Sequence, residues 1–279
     1  MIELYREVSF DVSKIITKRY STSFSSAVSF LEPEIRDAVY SIYGFVRLAD
    51  EIVDTFHDFD KENLLNNFER DYYEALKYNI SLNPALNAFQ HTIVKYKIED
   101  DLVQAFIKSM RTDLHKKNHL TQEETDEYIY GSAEVVGLMC LRVFVRGNDV
   151  LYQELKDPAR KLGAAFQKVN FLRDLKTDMH NLERKYFSST VINEFTESLK
   201  EELTSEISAD FDAALPGIRK LPDNGRLGVL IAYFYYRSLL DKIKRTPAKL
   251  LIDKRIRVSD TIKLLILLKA KIVNKLNLF

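Results

Sequence analysis

Apolar residues recur every three or four positions along almost the whole chain, and this spacing constrains the fold more than any other feature. Residues spaced in this way share one face of an α-helix. Two examples are the set Val39, Ile42, Tyr43 and Val46 and the set Leu162, Ala165, Phe166 and Val169. Only 8 of the 279 residues are glycine and 6 are proline, well below the average share of about 12%. The sequence therefore predicts an all-α fold, with about eight to ten helices in one domain over residues 1–279.

Turn-forming residues indicate where these helices begin and end. Proline is favoured in the first turn of a helix, and glycine and asparagine favour turns. The pair Asp157-Pro158 is typical of an N-cap followed by proline at the first helical position, so a helix is predicted to begin there. Further breaks are predicted at Pro33, Pro84, Gly147, Pro216-Gly217, the stretch 222–225 and Pro247.

Charge and cysteine content exclude several classes of protein. Lys plus Arg and Asp plus Glu both number 41, so the chain as a whole lacks the basic surface of a nucleic-acid-binding protein. The single cysteine, Cys140, excludes an intramolecular disulfide and fits a reducing compartment, and its apolar neighbours predict a core residue. The N-terminus lacks the apolar segment of a secretory signal, and the longest strongly apolar run, 264–268, is too short to span a bilayer. These features predict a cytoplasmic protein.

The basic C-terminal segment, 242–275, has two interpretations. Its lysines and arginines alternate with Ile262, Leu264, Leu265, Leu267 and Leu268. The favoured interpretation is a helix whose apolar stripe packs on the core and whose charges face solvent. The alternative is peripheral contact with an anionic membrane.

Two segments place paired aspartates on one helical face. Asp50 and Asp54 are one turn apart, and so are Asp174 and Asp178. Like charges at this spacing repel each other and destabilise an isolated helix. Finding the pattern twice among apolar residues indicates that divalent cations lie between the two faces.

Each pair belongs to a longer polar stripe. On the first helix the stripe contains Tyr43, Arg47, Asp50 and Asp54, and on the second it contains Gln167, Asn170, Asp174 and Asp178. An exposed, salt-bridged face is the alternative interpretation. Oxygen donors without cysteine or histidine favour a hard cation such as Mg²⁺, which completes its coordination with water and substrate phosphates.

Other metal and nucleotide sites do not match the sequence. A di-iron bundle requires Glu-x-x-His on two helices, and an EF-hand requires a loop that is also missing. No Walker loop or GxGxxG motif is present to hold a nucleotide. Diphosphate would then be bound by Mg²⁺ and scattered Arg, Ser and Tyr side chains. Beside an apolar cavity whose aromatic faces stabilise a cation, this combination predicts ionisation of an allylic diphosphate.

The sequence resembles the squalene and phytoene synthases, the head-to-head trans-prenyl transferases of the isoprenoid synthase fold. The resemblance covers about residues 15–265 in the family's order. It rests on the segments 20–24, 43–54, 130–139, 162–178, 236–243 and 255–259. Tyr20, Glu51, Lys168-Val169 and Thr177 depart from the usual residues of these motifs.

The resemblance implies a fold and a set of site residues. The fold would be a helical bundle around a central cavity, and Asp50, Asp54, Asp174 and Asp178 would bind Mg²⁺, or Mn²⁺ in its place, for two prenyl diphosphates. Tyr130 would face the reacting carbons, and Val136 and Gly137 would contact the prenyl chain. Phe24 and Val28 are one turn apart on the helix predicted to begin near Ser23, so Phe24 would lie beside the diphosphate and Val28 deeper along the prenyl tail. The diphosphates would be held by Ser21, Ser23, Tyr43, Arg47, Gln167, Asn170, Tyr236 and Arg255. Helix capping by Ser21 and Ser23, and a core position for Tyr130, are the alternatives for these three residues.

Several alternatives for the product and activity stay open at this point. Two geranylgeranyl diphosphates would give phytoene, which is the favoured product, whereas two farnesyl diphosphates would give dehydrosqualene or, with NADPH, squalene. A non-catalytic family member that acts in assembly or lipid binding is the second possibility. A helical protein that binds polyphosphate or metal without chemistry is the third. The sequence leaves the oligomeric state open.

Overall fold

The computed structural model describes residues 1–115, 121–180 and 195–278, with the side chains of 176–180 excepted, and these residues form helices and connecting turns. The predicted all-α fold is confirmed. In chain order the helices are α1 (Ile2–Tyr20), α2 (Thr22–Val28), α3 (Pro33–Asp54), α4 (Lys61–Tyr78), α5 (Pro84–Tyr96), α6 (Asp100–His115), α7 (Gln122–Ile129), a π-helical turn (Tyr130–Glu134), α8 (Val135–Phe144), α9 (Asp149–His180), α10 (Glu197–Lys220), α11 (Asp223–Arg245), α12 (Ala248–Asp253) and α13 (Asp260–Leu276). None of the described helices is long and apolar enough to cross a membrane.

The helix count in the described residues exceeds the predicted eight to ten. Two of the described helices are short, since α2 has only 7 residues and α12 only 6. The break before α2 occurs without a proline or a glycine. Ser21 is the N-cap of α2, and its side chain accepts a hydrogen bond from the backbone N–H of Phe24. A serine N-cap is a weaker sequence signal than proline.

The breaks predicted at Pro33, Pro84, Gly147, the stretch 222–225 and Pro247 are confirmed. The predicted helix start at Pro158 is wrong. Helix α9 begins at Asp149, where Asn148 accepts a hydrogen bond from the backbone N–H of Leu151 at 3.1 Å, and Pro158 lies inside the helix. The break at Pro216-Gly217 is also wrong, because α10 continues to Lys220.

Close packing of α10 on α9 accounts for both interior prolines. A Cβ atom on Gly217 would lie 2.3 Å from Cβ of Pro158, so the two helices meet where one residue has no side chain. Each proline removes one backbone donor from its helix. The tertiary contacts between α9 and α10 offset that loss and keep both helices continuous.

Two clusters of buried apolar residues form the core. The first joins α3 to its neighbours in the N-terminal half and includes the aromatic rings of Phe45 and Phe89, stacked with centroids 4.1 Å apart. The second joins α9, α10, α11 and α13. Both clusters contribute to the wall of one cavity, so the cavity lies between them.

Candidate active site

A cavity of about 290 Å³ runs between helices α2, α3, α8, α9, α10 and α11. Its wall is mostly apolar, and it includes eight of the residues proposed from the sequence. They are Phe24, Val28, Tyr43, Val136, Gly137, Gln167, Asn170 and Tyr236. Helix α9 supplies one continuous face to the wall, because its lining residues from Leu155 to Asn170 follow the three- and four-residue spacing of a helix.

Two pairs of stacked aromatic rings form part of the wall. The rings of Phe24 and Tyr43 are stacked with centroids 5.0 Å apart, and those of Phe166 and Tyr236 are 4.1 Å apart. The hydroxyl of Tyr236 donates a hydrogen bond to Oδ1 of Asn170 at 3.2 Å. Ring faces carry negative electrostatic potential, so these pairs favour a cationic species in the cavity.

The first carboxylate motif continues α3 beyond the cavity. The guanidinium of Arg47 forms ion pairs with Asp50 and Glu51. It also lies over the ring of Tyr20, 4.4 Å from the centroid. Tyr20 and Glu51, which depart from the family pattern, are therefore both partners of Arg47. Asp54 is partly buried at the last position of α3.

The second carboxylate motif continues α9. Asp174 forms ion pairs with Nη2 of Arg173 at 2.6 Å and with Nε of Arg255 at 2.7 Å. Arg255 comes from the segment between α12 and α13 and is exposed, whereas Arg173 is largely buried. Burial lowers the pKa of Arg173, but the hydrogen bond and charge of Asp174 raise it more, so the net direction is upward. Asp178 lies outside the residues whose side chains the structure describes.

The two motifs lie toward the same end of the cavity. The lining residues of α3 end at Val46 and those of α9 end at Asn170, and Asp50 and Asp174 each follow one turn later. Tyr43 and Tyr236 both line the cavity, and Tyr236 donates a hydrogen bond to Asn170 at the end of the α9 lining. Burial raises the pKa of Tyr43 to about 12, and the carboxylate of Asp50 adds to the increase. Both helices therefore lead from an apolar wall to a charged end.

The charged end contains oxygen donors of the type that a hard cation requires. Asp50 and Asp54 come from one helix and Asp174 from the other, while Asn170 adds an amide oxygen. In the part of the chain that the structure describes, no three acidic, histidine or cysteine side chains form a metal-binding group. Mg²⁺ commonly uses one or two protein carboxylates and fills its other positions with water and substrate phosphates. The donor set fits Mg²⁺ by residue type and by its position at the end of the cavity.

Three proposed residues have other surroundings. Ser21 caps α2, and Ser23 is half-buried in the first turn of α2. Tyr130 begins the π-helical turn and packs against the first core cluster. The guanidinium of Arg160 lies 5.3 Å from its ring centroid. The structure does not place Tyr130 in the cavity wall.

Other polar residues at the cavity or beside it were not assigned from the sequence. The hydroxyl of Ser132 lines the cavity, is buried, and has no hydrogen-bond partner among the described residues. Tyr128 donates a hydrogen bond at 2.9 Å to the buried carboxylate of Asp113. The ring of Tyr128 stacks with Phe171, which adjoins Asn170.

Burial raises the pKa of the Cys140 thiol to about 12, so this cavity residue is a poor nucleophile.

Lys168 has a structural role in the described residues. Its ammonium forms ion pairs with Glu206 at 2.5 Å and with Asp210 at 2.6 Å, both on α10. This residue departs from the family pattern within the second motif. The lysine at this position therefore contributes to the contact between α9 and α10.

Comparisons with known proteins point to one family. Residues 17–261 match the family model described as squalene/phytoene synthase. The chain is 24% identical over 256 residues to a 4,4′-diapophytoene synthase of Staphylococcus haemolyticus, covering 84% of this chain and 87% of the relative. It is 26% identical over 250 residues to phytoene synthase 2, chloroplastic, of Zea mays, covering 82% of this chain and 61% of the relative. The chain thus spans about three fifths of the length of that plant enzyme.

Solved structures share the same fold. A dehydrosqualene synthase in complex with a ligand superposes with a TM-score of 0.83 at 24% identity, covering 97% of this chain and 98% of that chain. A squalene synthase from Alicyclobacillus acidocaldarius superposes with a TM-score of 0.76 at 21% identity, covering 87% of this chain and 95% of that chain. The isoprenoid synthase fold implied by the sequence motifs is thereby confirmed.

Proposed function

Because the chain belongs to the squalene/phytoene synthase family, we propose that it joins two geranylgeranyl diphosphates head to head and releases phytoene. The observation that carries this proposal is the pair of helices α3 and α9. Each lines an apolar, aromatic-walled cavity and then presents carboxylates at the same end. A substrate with an apolar tail and a diphosphate head matches both parts of this arrangement.

The charged end would bind the diphosphate heads. The guanidinium groups of Arg47, Arg173 and Arg255 can form paired hydrogen bonds with phosphate oxygens, a geometry for which arginine is well suited. Asp50, Asp54 and Asp174 would hold Mg²⁺, or Mn²⁺ in its place, and the bound cation would neutralise the leaving diphosphate. Each arginine would exchange a carboxylate partner for a phosphate when substrate binds.

The proposed reaction has two steps. In the first, the C1–O bond of one substrate breaks, diphosphate leaves with the bonding electrons, and the double bond of the second substrate attacks C1. Loss of a proton then closes a cyclopropane ring, which gives a cyclopropylcarbinyl diphosphate. In the second step this diphosphate leaves, the cation rearranges to the 1,1′ linkage, and loss of a proton completes the central double bond.

The cavity wall would protect the cations formed in these steps. The stacked pairs Phe24–Tyr43 and Phe166–Tyr236 offer ring faces to positive charge. Apolar side chains form most of the wall, and they exclude the water that would otherwise capture a cation. Released diphosphate is the base that we propose for the proton losses.

The size of residue 28 supports geranylgeranyl diphosphate as the substrate. Val28 is 3% exposed and lines the cavity one helical turn beyond Phe24. A small side chain there leaves room for a longer prenyl tail.

Farnesyl diphosphate is the second candidate, because the Staphylococcus haemolyticus relative is a 4,4′-diapophytoene synthase and a dehydrosqualene synthase superposes with a TM-score of 0.83. Dehydrosqualene, or squalene if NADPH reduces the final cation, would then be the product.

Product analysis tests the proposal. Purified protein is incubated with labelled geranylgeranyl or farnesyl diphosphate and Mg²⁺, with and without NADPH, and the hydrocarbon is identified by mass spectrometry. A chelator-treated sample is the control for the cation. We expect phytoene from geranylgeranyl diphosphate without NADPH. A C30 product alone would contradict the substrate but not the reaction, and diphosphate binding without any hydrocarbon would support a non-catalytic role.

A further inference from the structure

Helix α13 presents two apolar faces, and only one of them packs on the protein. Ile266 and Ala270 are buried in the second core cluster, where α13 packs on α11. The opposite side of the helix carries Leu264, Leu265, Leu268, Ile272 and Leu276, which are 50–59% exposed. We call these five residues the α13 outer face. The packing predicted for the apolar stripe is confirmed for Leu267, which is partly buried against the second core cluster, and is wrong for Ile262, Leu264, Leu265 and Leu268, which are exposed.

Basic residues border the α13 outer face. Lys269 and Lys271 lie on its two edges, and their ammonium groups are 4.5 Å from the ring centroid of Phe234 and 5.2 Å from that of Phe30. Lys275 is exposed in the last turn of α13. Helix α13 contains four lysines and one aspartate, and that aspartate, Asp260, pairs with Lys263 at the start of the helix. Positive charge therefore borders the exposed apolar surface.

We propose that the α13 outer face docks in the plane of an anionic lipid bilayer. Leucine and isoleucine side chains would enter the boundary between headgroups and acyl chains, while the lysines at the edges would contact lipid phosphates. A second copy of the chain is a poorer partner, because a symmetric interface places the same surface on both sides. Two basic segments would then face each other and repel.

Vesicle sedimentation tests the proposal with the full chain. Binding is measured to vesicles of phosphatidylcholine alone and of phosphatidylcholine mixed with phosphatidylglycerol, at low and at high salt. We expect binding to the anionic vesicles that weakens as salt screens the charges. The double variant Leu268→Glu/Ile272→Glu should lower the partition coefficient at least about tenfold. Leu82→Glu is the matched control, because Leu82 is 94% exposed between α4 and α5, and it should bind as the wild type does.

Charge variants separate electrostatic attraction to anionic lipid from non-specific hydrophobic adsorption. Lys271→Glu/Lys275→Glu should also lower binding to anionic vesicles about tenfold or more, whereas Lys77→Glu on α4 should not. Circular dichroism verifies that each variant is folded. Equal binding by wild type and Leu268→Glu/Ile272→Glu would overturn the proposal. A vesicle-free dimer that this double variant dissociates in analytical ultracentrifugation would also overturn it, in favour of a second copy.

Discussion

Asp174→Asn is the substitution that most directly tests the charged end of the cavity. Asparagine keeps the shape of the side chain but removes the charge that Arg173 and Arg255 contact at 2.6 and 2.7 Å. Loss of one well-placed electrostatic group from an active site typically lowers turnover by about a hundredfold or more, which corresponds to about 2.7 kcal/mol. We therefore expect kcat/KM to fall by at least about that factor.

Initial rates of hydrocarbon formation, measured with saturating Mg²⁺, provide the assay. Asp212→Asn is the matched control, because Asp212 is an exposed carboxylate on α10 that pairs with Arg237 at 2.9 Å. It has the same chemistry, and it belongs to neither carboxylate stripe. Its variant should stay within about twofold of the wild type, since exposed ion pairs contribute little.

Stability must be measured in parallel because Asp174 has attractive as well as repulsive neighbours. The spacing of the two aspartates in the sequence predicts that the change relieves repulsion between them, but it leaves the largely buried Arg173 without its carboxylate. Thermal unfolding by circular dichroism shows which effect is larger. If Asp174→Asn is folded and works within about threefold of the wild-type rate, the assignment of the second motif is wrong. An equal loss in Asp212→Asn would show that the effect is not specific to the cavity.

Three further expectations follow from the cavity and its surroundings. Val28→Phe should shift relative kcat/KM from geranylgeranyl toward farnesyl diphosphate by roughly ten- to two-hundredfold, because it shortens the cavity; an unchanged ratio would contradict this view of the wall. Burial of the sulfur raises the pKa of the Cys140 thiol to about 12, so it stays neutral as pH passes 9, and a thiol reagent should react with it at least about tenfold more slowly at pH 9 than with the unfolded chain. Native labelling as fast as that of the unfolded chain would refute the raised pKa. Gly217→Ala should lower the free energy of unfolding by about 1 to 3 kcal/mol, because the new methyl group would clash with Pro158. An unchanged midpoint of chemical denaturation would contradict this expectation.

Sequence periodicity was sufficient to predict the helices and the two carboxylate stripes. Residues three and four positions apart share a helical face whatever the tertiary structure, so Asp50 and Asp174 could be placed on faces with Tyr43 and Asn170. The repeated charge pattern was sufficient to infer that the two faces meet around divalent cations, whereas a helical bundle with a central cavity was implied by the resemblance to a family. The contact between Asp174 and Arg255 joins residues distant in sequence, and no local pattern predicts such a contact.

The errors in helix boundaries have a common physical cause. At Pro33 and Pro84 nothing in the sequence before proline favours a continuing helix, and the predicted starts are confirmed. At Pro158 the local signal was similar, but Gly217 of another helix packs against it. Tertiary packing can outweigh the loss of one backbone hydrogen bond. A prediction from local sequence cannot take account of the contact between Pro158 and Gly217 of α10.

The regular face of α9 has a consequence for how product length can change. Its lining residues extend from Leu155 to Asn170, a rise of about 22 Å at 1.5 Å per residue. Positions that can obstruct the cavity on such a wall recur once per helical turn, every 5.4 Å or so, which is comparable to one isoprene unit. Substitutions along this wall would therefore admit or reject whole five-carbon units. Product length would change in discrete steps, even though side-chain volume varies almost continuously.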